Sequence, residues 1–129
     1  MADRLRDRLG RPLSPGADPS LAAPPVIDPA GQDDAAVWRI ALDYLDHGLP
    51  FHAHEVFELR WRAADGQDRH AWRALAQWGA ALTHEARGNA EGARRLAERT
   101  LATLADSPRV PGGVDPDLVR ASCSRLLTG

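Results

Sequence analysis

Apolar residues beyond residue 31 recur every three or four positions, and no stretch alternates between apolar and polar residues as a half-buried strand does. This spacing limits the fold more than any other feature, because only helices can present such faces to a core. Cap and turn residues divide the pattern into five segments. The sequence therefore predicts an all-α fold, an up-and-down antiparallel bundle of four to five helices.

The predicted helices are delimited by residues with defined roles at helix ends. Asp33 or Asp34 can cap the first helix, and Gly48 followed by Pro50 separates it from the second. The second helix runs to about residue 64, and the third from about residue 68 to residue 88. A tight turn at Gly88 predicts that the third and fourth helices are antiparallel neighbours. A short fifth helix starts near residue 115.

Residues 1–31 differ from the rest of the chain, because they hold most of the ten prolines and show no helical period. Pro24 and Pro25 favour extended backbone. Val26 and Ile27 can anchor this segment in an apolar groove of the bundle or of a neighbouring subunit, and the alternative is a flexible leader. The expected organisation is a Pro-rich extended arm over residues 1–31 and a single helical bundle domain over residues 32–129.

Composition and charge exclude several classes of partner. The chain has 129 residues, 43% of them hydrophobic, and a formal charge of −2, which gives no broad field to attract nucleic acid or anionic lipid. No apolar stretch reaches the ~18 residues of a membrane span, and the N-terminal sequence lacks the apolar core of a secretory signal. The single cysteine, Cys123, lies in a predicted helix, so a buried free thiol and a cytoplasmic location are expected.

Five polar residues fall on helix faces that a bundle should bury. His54, Glu55 and Glu58 share one face of the second helix, while Gln77 and His84 belong to a polar stripe of the third. Burying such groups costs several kcal/mol unless they are paired, hydrogen-bonded or bound to metal. If the second and third helices pack together, the two polar stripes meet. Their side chains then need counter-charges, hydrogen-bond partners or a metal ion.

One hypothesis is a metal site within the bundle. His54, Glu58 and His84 would be ligands of a divalent metal ion such as zinc, manganese or iron. Glu55 would be a fourth ligand or a general base, and Gln77 would orient water, which together would allow hydrolysis. The substrate class stays open.

The alternative is a non-catalytic helical scaffold or interaction protein whose polar network is structural. Glu58 can pair with Arg62 one turn on or with Arg73 across the interface, and His54 and His84 can hydrogen-bond to carboxylates or to the backbone. The segment HEVFE has Glu where the zincin motif needs its second His. In this interpretation the arm and the tryptophan-bearing faces make a homodimer or another partner contact.

Two further expectations concern the aromatic residues and His52. His52 points about 160° away from His54 on a helix, so we expect it to be solvated or to cap the helix. Core or interface packing is the simplest expectation for the tryptophans, which are Trp38, Trp61, Trp72 and Trp78.

The strings AHEVFELRW and LAQWGAALTHEARGNAEGARRL, at their observed separation, resemble the prokaryotic family known as domain of unknown function 309. The resemblance spans about residues 37–104. Its first motif, HE-x-x-E-x-x-W, falls on His54, Glu55, Glu58 and Trp61; its second falls on Gln77, His84, Arg87, Gly88, Asn89, Gly92 and Ala93. The resemblance implies a small all-helical protein, and the family is commonly labelled a predicted metal-dependent hydrolase. This chain departs from the pattern at His52, where an acidic residue is common, and at Arg73-Ala74, where a Gln-Gly pair is common.

Overall fold

A computed structural model describes residues 5–129 of the chain, and five α-helices carry the fold of this part. They are α1 (Asp34–Asp46), α2 (Pro50–Ala63), α3 (Arg69–Ala86), α4 (Ala90–Ala105) and α5 (Pro116–Thr128). The extensive helix–helix contacts are between helices that are consecutive in the chain, as in an up-and-down bundle. Residues 5–129 contain no β-strand, only an isolated bridge between Arg6 and Pro12. The predicted all-α fold is confirmed.

The helix ends use the residues that the sequence pattern indicates. The side chains of Asp33, Asn89 and Asp115 accept hydrogen bonds from backbone N–H groups in the first turns of α1, α4 and α5. Gly48 and Gly88 have φ angles of +70° and +80°, a conformation that residues with a Cβ rarely adopt. The turns at Gly48 and Gly88 leave only residues 47–49 between α1 and α2 and residues 87–89 between α3 and α4.

Three tryptophans and Phe57 form the centre of the core. Trp38 stacks on Trp78 with ring centroids 5.9 Å apart. Phe57 lies 6.2 Å from Trp38, 6.1 Å from Trp78 and 6.3 Å from Trp72, again between ring centroids. All four side chains are buried, whereas the fourth tryptophan, Trp61, is only partly buried. The core therefore joins α1, α2 and α3 and leaves Trp61 at its edge.

The contact between α2 and α3 is close at Gly79. A Cβ placed on this glycine would lie 2.7 Å from the Cα of His54, which is closer than real Cβ atoms approach. The absence of a side chain at Gly79 therefore lets the two helix backbones meet. This close approach places His54 directly beside α3.

In the described residues the N-terminal arm lies along the bundle and contacts it. The Tyr44 hydroxyl of α1 donates to the carbonyl oxygen of Pro25 at 3.1 Å and accepts from the backbone N–H of Ile27 at 3.0 Å. Val26 packs partly buried against the core, while the side chain of Ile27 is 52% exposed. Val26 thus anchors the arm through its side chain, whereas Ile27 is held through its backbone.

The arm also determines the environment of His52. This imidazole is only 2% exposed, and its Nε2 donates to the carbonyl oxygen of Pro24 at 2.6 Å. The expectation that His52 is solvated or caps the helix is wrong, because the arm covers this side of α2. At another point of the arm, Arg87 Nε donates to the carbonyl oxygen of Leu9 at 2.9 Å.

Cys123 lies fully buried on α5 as a free thiol, which confirms the expectation for this residue. Burial raises the pKa of the thiol to about 11, because the thiolate loses its hydration. None of the helices within residues 5–129 combines the length and the apolar character that crossing a bilayer requires.

Candidate functional site

The two predicted polar stripes meet in a cleft between α2 and α3. The cleft has a volume of about 200 Å³, and His54, Glu58 and Gln77 all line it. Its other lining residues are Trp61, Arg73, Ala76, Ala80 and Leu96. Gln77 Oε1 is buried and has no hydrogen-bond partner among the described residues. Three of the five predicted site residues therefore share one cleft.

His54 lies between two carboxylates of its own helix. Its Nδ1 is 3.4 Å from Glu55 Oε1, and its Nε2 is 4.0 Å from Glu58 Oε2. Arg62 Nη2 donates to Glu58 Oε1 at 3.1 Å, so the predicted pair between these two residues is confirmed. These contacts form a polar network along α2 that is partly buried.

Glu55 faces a different cavity from Glu58. It lines a space of about 420 Å³ between α2 and the arm, together with Phe51 and Arg6. A hydrogen bond from His54 holds the pKa of the Glu55 carboxyl below its ordinary value; the charges of His54, Arg6 and Arg62 act in the same direction, while partial burial opposes them. A lowered pKa makes this carboxylate a weaker base, which weighs against the predicted general-base role.

His84 is engaged at the turn between α3 and α4. Its Nδ1 lies 3.1 Å from Asn89 Nδ2 and accepts a hydrogen bond from that amide. Asn89 Oδ1 in turn accepts from the backbone N–H of Gly92 at 3.0 Å and so caps α4. A Cβ on Gly92 would approach His84 Nδ1 to 2.9 Å, so glycine leaves room for the imidazole. His84 is therefore part of a capping network and does not line the cleft of His54 and Glu58.

Two arginine side chains lie against the indole ring of Trp61 near the end of α2. Arg69 Cζ lies 4.9 Å and Arg73 Cζ 5.9 Å from the centroid of the indole ring, both in cation–π range. Arg73 therefore contacts Trp61, and Glu58 pairs with Arg62. The contact of Arg69 with Trp61 was not predicted from the sequence. It depends on the turn at residues 66–68, which brings α3 back to α2, and the apolar periodicity of the helices does not extend into this turn.

The donors in the cleft can be compared with those of known metal centres. Within residues 5–129 no group of three or more His, Cys, Asp or Glu side chains is placed to hold a metal ion. Of the predicted ligands, His54 and Glu58 lie in the cleft, whereas His84 contacts Asn89. Two ligands are fewer than the three protein ligands of a typical catalytic zinc site. The metal centre, and the roles of Glu55 and Gln77 in it, stay predictions.

The fold and the cleft define a small helical bundle with a polar site between its second and third helices. Residues 38–96 match the family model described as Domain of unknown function (DUF309). This range contains both motifs, so the resemblance inferred from them is confirmed. Neither the comparison with curated proteins nor the comparison with solved structures found a match.

Proposed function

We propose that this protein is a non-catalytic helical interaction module in which the polar residues between α2 and α3 have a structural role. The observation that supports this proposal is that the charged and imidazole groups of the site contact partners within the protein. Glu58 pairs with Arg62, and His54 lies against Glu55 and Glu58. His84 accepts a hydrogen bond at the α3–α4 turn. Glu55 and His84 thus lie outside the cleft that His54 and Glu58 line, so the four groups do not all share one site.

Such a network keeps the polar groups of this face of α2 satisfied and contributes little to net stability. Partly buried pairs offset the cost of their own desolvation, but removing one partner leaves the other charge uncompensated. The network runs along α2 beside its closest approach to α3, where His54 meets Gly79. The close approach depends on the register of α2 against α3, whereas the pairs lie within α2 and keep its polar face satisfied beside that contact.

The arm offers the contact surface of the proposed module. Among the described residues, three of the four large apolar side chains that are exposed lie on it. They are Leu5, Leu21 and Ile27, with exposed fractions of 58%, 56% and 52%. Contact with the arm of a second copy would remove them from water, so we propose a homodimer. Light scattering after size-exclusion chromatography should give a dimer for the wild type and a monomer for Leu21→Ser/Ile27→Ser; a monomeric wild type contradicts the dimer.

Metal content distinguishes a structural network from a catalytic centre. We would measure zinc, manganese and iron by elemental mass spectrometry in untagged protein purified without chelator. The matched variants are Glu58→Gln in the cleft and Glu98→Gln, which removes the same charge from an exposed position on α4. The module predicts no stoichiometric metal in any of the three proteins, with Glu58→Gln alone less stable to urea. Near-stoichiometric metal that Glu58→Gln loses and Glu98→Gln retains would overturn it.

The second candidate is the metal-dependent hydrolase. One observation favours it, namely that His54, Glu58 and Gln77 line the same cleft. Its ligand set needs His84 and Glu55 as well, which lie outside that lining. The metal measurement therefore decides between the two candidates, because only the hydrolase requires a metal that depends on Glu58.

A further inference from the structure

The two arginines that lie against Trp61 form no salt bridge among the described residues. Arg69 and Arg73 lie one turn apart on α3 and both reach the same indole ring. Like charges at this spacing repel each other. In the described residues neither arginine lies within 4.0 Å of a carboxylate, and Asp68, which precedes Arg69, pairs with Arg109 at 3.3 Å. Two cations thus converge on one ring with no carboxylate in salt-bridge range among the described residues.

These arginines line a cavity of about 320 Å³ at the start of α3. His70 also lines it, and Asp106 is the one acidic residue among the lining residues. The first turn of α3 contains no acidic residue, and the carboxylate of its N-cap residue, Asp68, pairs with Arg109. The cavity is therefore locally positive in a chain whose formal net charge is −2. This contrast points to a small anion as its complement.

Trp61 and Arg73 also line the cleft between α2 and α3, so the two spaces adjoin along the indole ring. Besides the polar residues His54, Glu58 and Gln77, three apolar residues line that cleft, namely Ala76, Ala80 and Leu96. Trp61 is partly exposed here, whereas the other three tryptophans are buried in the core. The indole ring thus contacts two cations and also borders a cleft that has apolar lining residues.

We propose that the joined cavity and cleft bind a small phosphate monoester that carries a planar ring. The phosphate lies between Arg69 and Arg73, whose guanidinium groups provide paired donors for phosphate oxygens. The ring stacks on Trp61 and contacts the apolar residues that line the cleft. A phosphate offers three oxygens to the two guanidinium groups, whereas a carboxylate offers two. This site goes beyond the structural network of the proposed function and does not depend on it.

The test uses phenyl phosphate as the probe and the indole N–H signals of the full-length protein in ¹H–¹⁵N NMR spectra. The variant Trp61→Phe assigns the Trp61 signal. We expect phenyl phosphate to shift this signal saturably and to leave the other three tryptophan signals in place. Arg69→Gln/Arg73→Gln should weaken binding by about tenfold or more, since it removes both charge-assisted contacts.

The matched control is Arg94→Gln/Arg95→Gln, which removes the same charge from two exposed positions on α4 that line neither space. Circular dichroism establishes that both double variants are folded. The control should bind phenyl phosphate as the wild type does. An equal loss in the control, or no saturable shift in the wild type, would overturn the site. Equal affinity for benzoate would overturn the phosphate class, and equal affinity for inorganic phosphate would overturn the stacking of the ring on Trp61.

Discussion

At the scale of single residues, His84 shows how a side chain that resembles a metal ligand contributes to a helix cap. Its ring accepts from the amide of Asn89, which orients the other end of that amide towards the first turn of α4. The glycine at position 92 leaves space for both groups. The second sequence motif therefore has a structural explanation at these three positions.

Replacing Asn89 tests this capping network. Asn89→Ala removes the acceptor for the Gly92 N–H and should lower the free energy of unfolding by about 1 kcal/mol. Asn89→Asp keeps a cap acceptor but loses the donor to His84, so we expect a smaller loss. Urea unfolding of the three proteins measures both effects. A stability of Asn89→Ala equal to that of the wild type would show that the cap is not important.

The buried thiol makes stability depend on alkaline pH. Because the pKa of Cys123 is raised from 9.0 to about 11, the unfolded thiol loses its proton at lower pH than the folded one. The contribution of Cys123 to stability is therefore complete below pH 9.0 and is lost as the pH rises to about 11. The difference in free energy of unfolding between wild type and Cys123→Ala should fall over this range in denaturant titrations. A difference that stays constant with pH would contradict this prediction.

At the scale of helices, the contact of α2 with α3 depends on a residue without a side chain. Gly79 lets the helix backbones meet at His54, although glycine is a poor helix former. The first motif and this glycine thus act together, because the position of His54 between the helices depends on the close approach.

Replacing Gly79 with alanine should destabilise the bundle. Helix propensity alone favours alanine by about 1 kcal/mol, but the new Cβ meets backbone and must separate α2 from α3, a cost of about 1–3 kcal/mol or more. We expect a net loss of stability in thermal unfolding. Gly112→Ala is the control, because a Cβ there meets nothing within 4 Å. A variant at Gly79 as stable as this control would show that the helices move apart freely.

At the scale of the whole molecule, the arm covers one side of α2. Tyr44 and His52 bind backbone groups of its Pro24–Ile27 segment, and Arg87 binds the carbonyl of Leu9. These contacts join residues that are far apart in the sequence. The arm is attached by these hydrogen bonds and by the partly buried side chains of Ala23 and Val26, and we expect it to open while the aromatic core stays folded.

Tyr44→Phe tests the independence of the arm, because it removes only the hydroxyl that contacts Pro25 and Ile27. We expect the Ile27 amide to exchange with solvent several-fold faster in hydrogen-exchange measurements, since its acceptor is lost. Amides in α3 should keep their protection. Equal acceleration in α3 would mean that the arm and the bundle unfold as one unit.

The fold was largely predictable because its signals are local. Periodic apolar residues define the helical faces, and Asp33, Asn89 and Asp115 cap helices where their short polar side chains suggest. The meeting of His54, Glu58 and Gln77 followed from the faces of two adjacent helices. The predicted pairing of Glu58 with Arg62 followed in the same way from one helical turn.

The sequence by itself thus determined the helices, their caps and the polar faces of α2 and α3, since each depends on residues within a few positions of one another. Only the tertiary structure decided which partner each polar group takes. The arm buries His52, the α3–α4 turn engages His84, and the return of α3 brings Arg69 onto Trp61. These contacts join different segments, and their free energies depend on the three-dimensional arrangement of the segments rather than on local spacing.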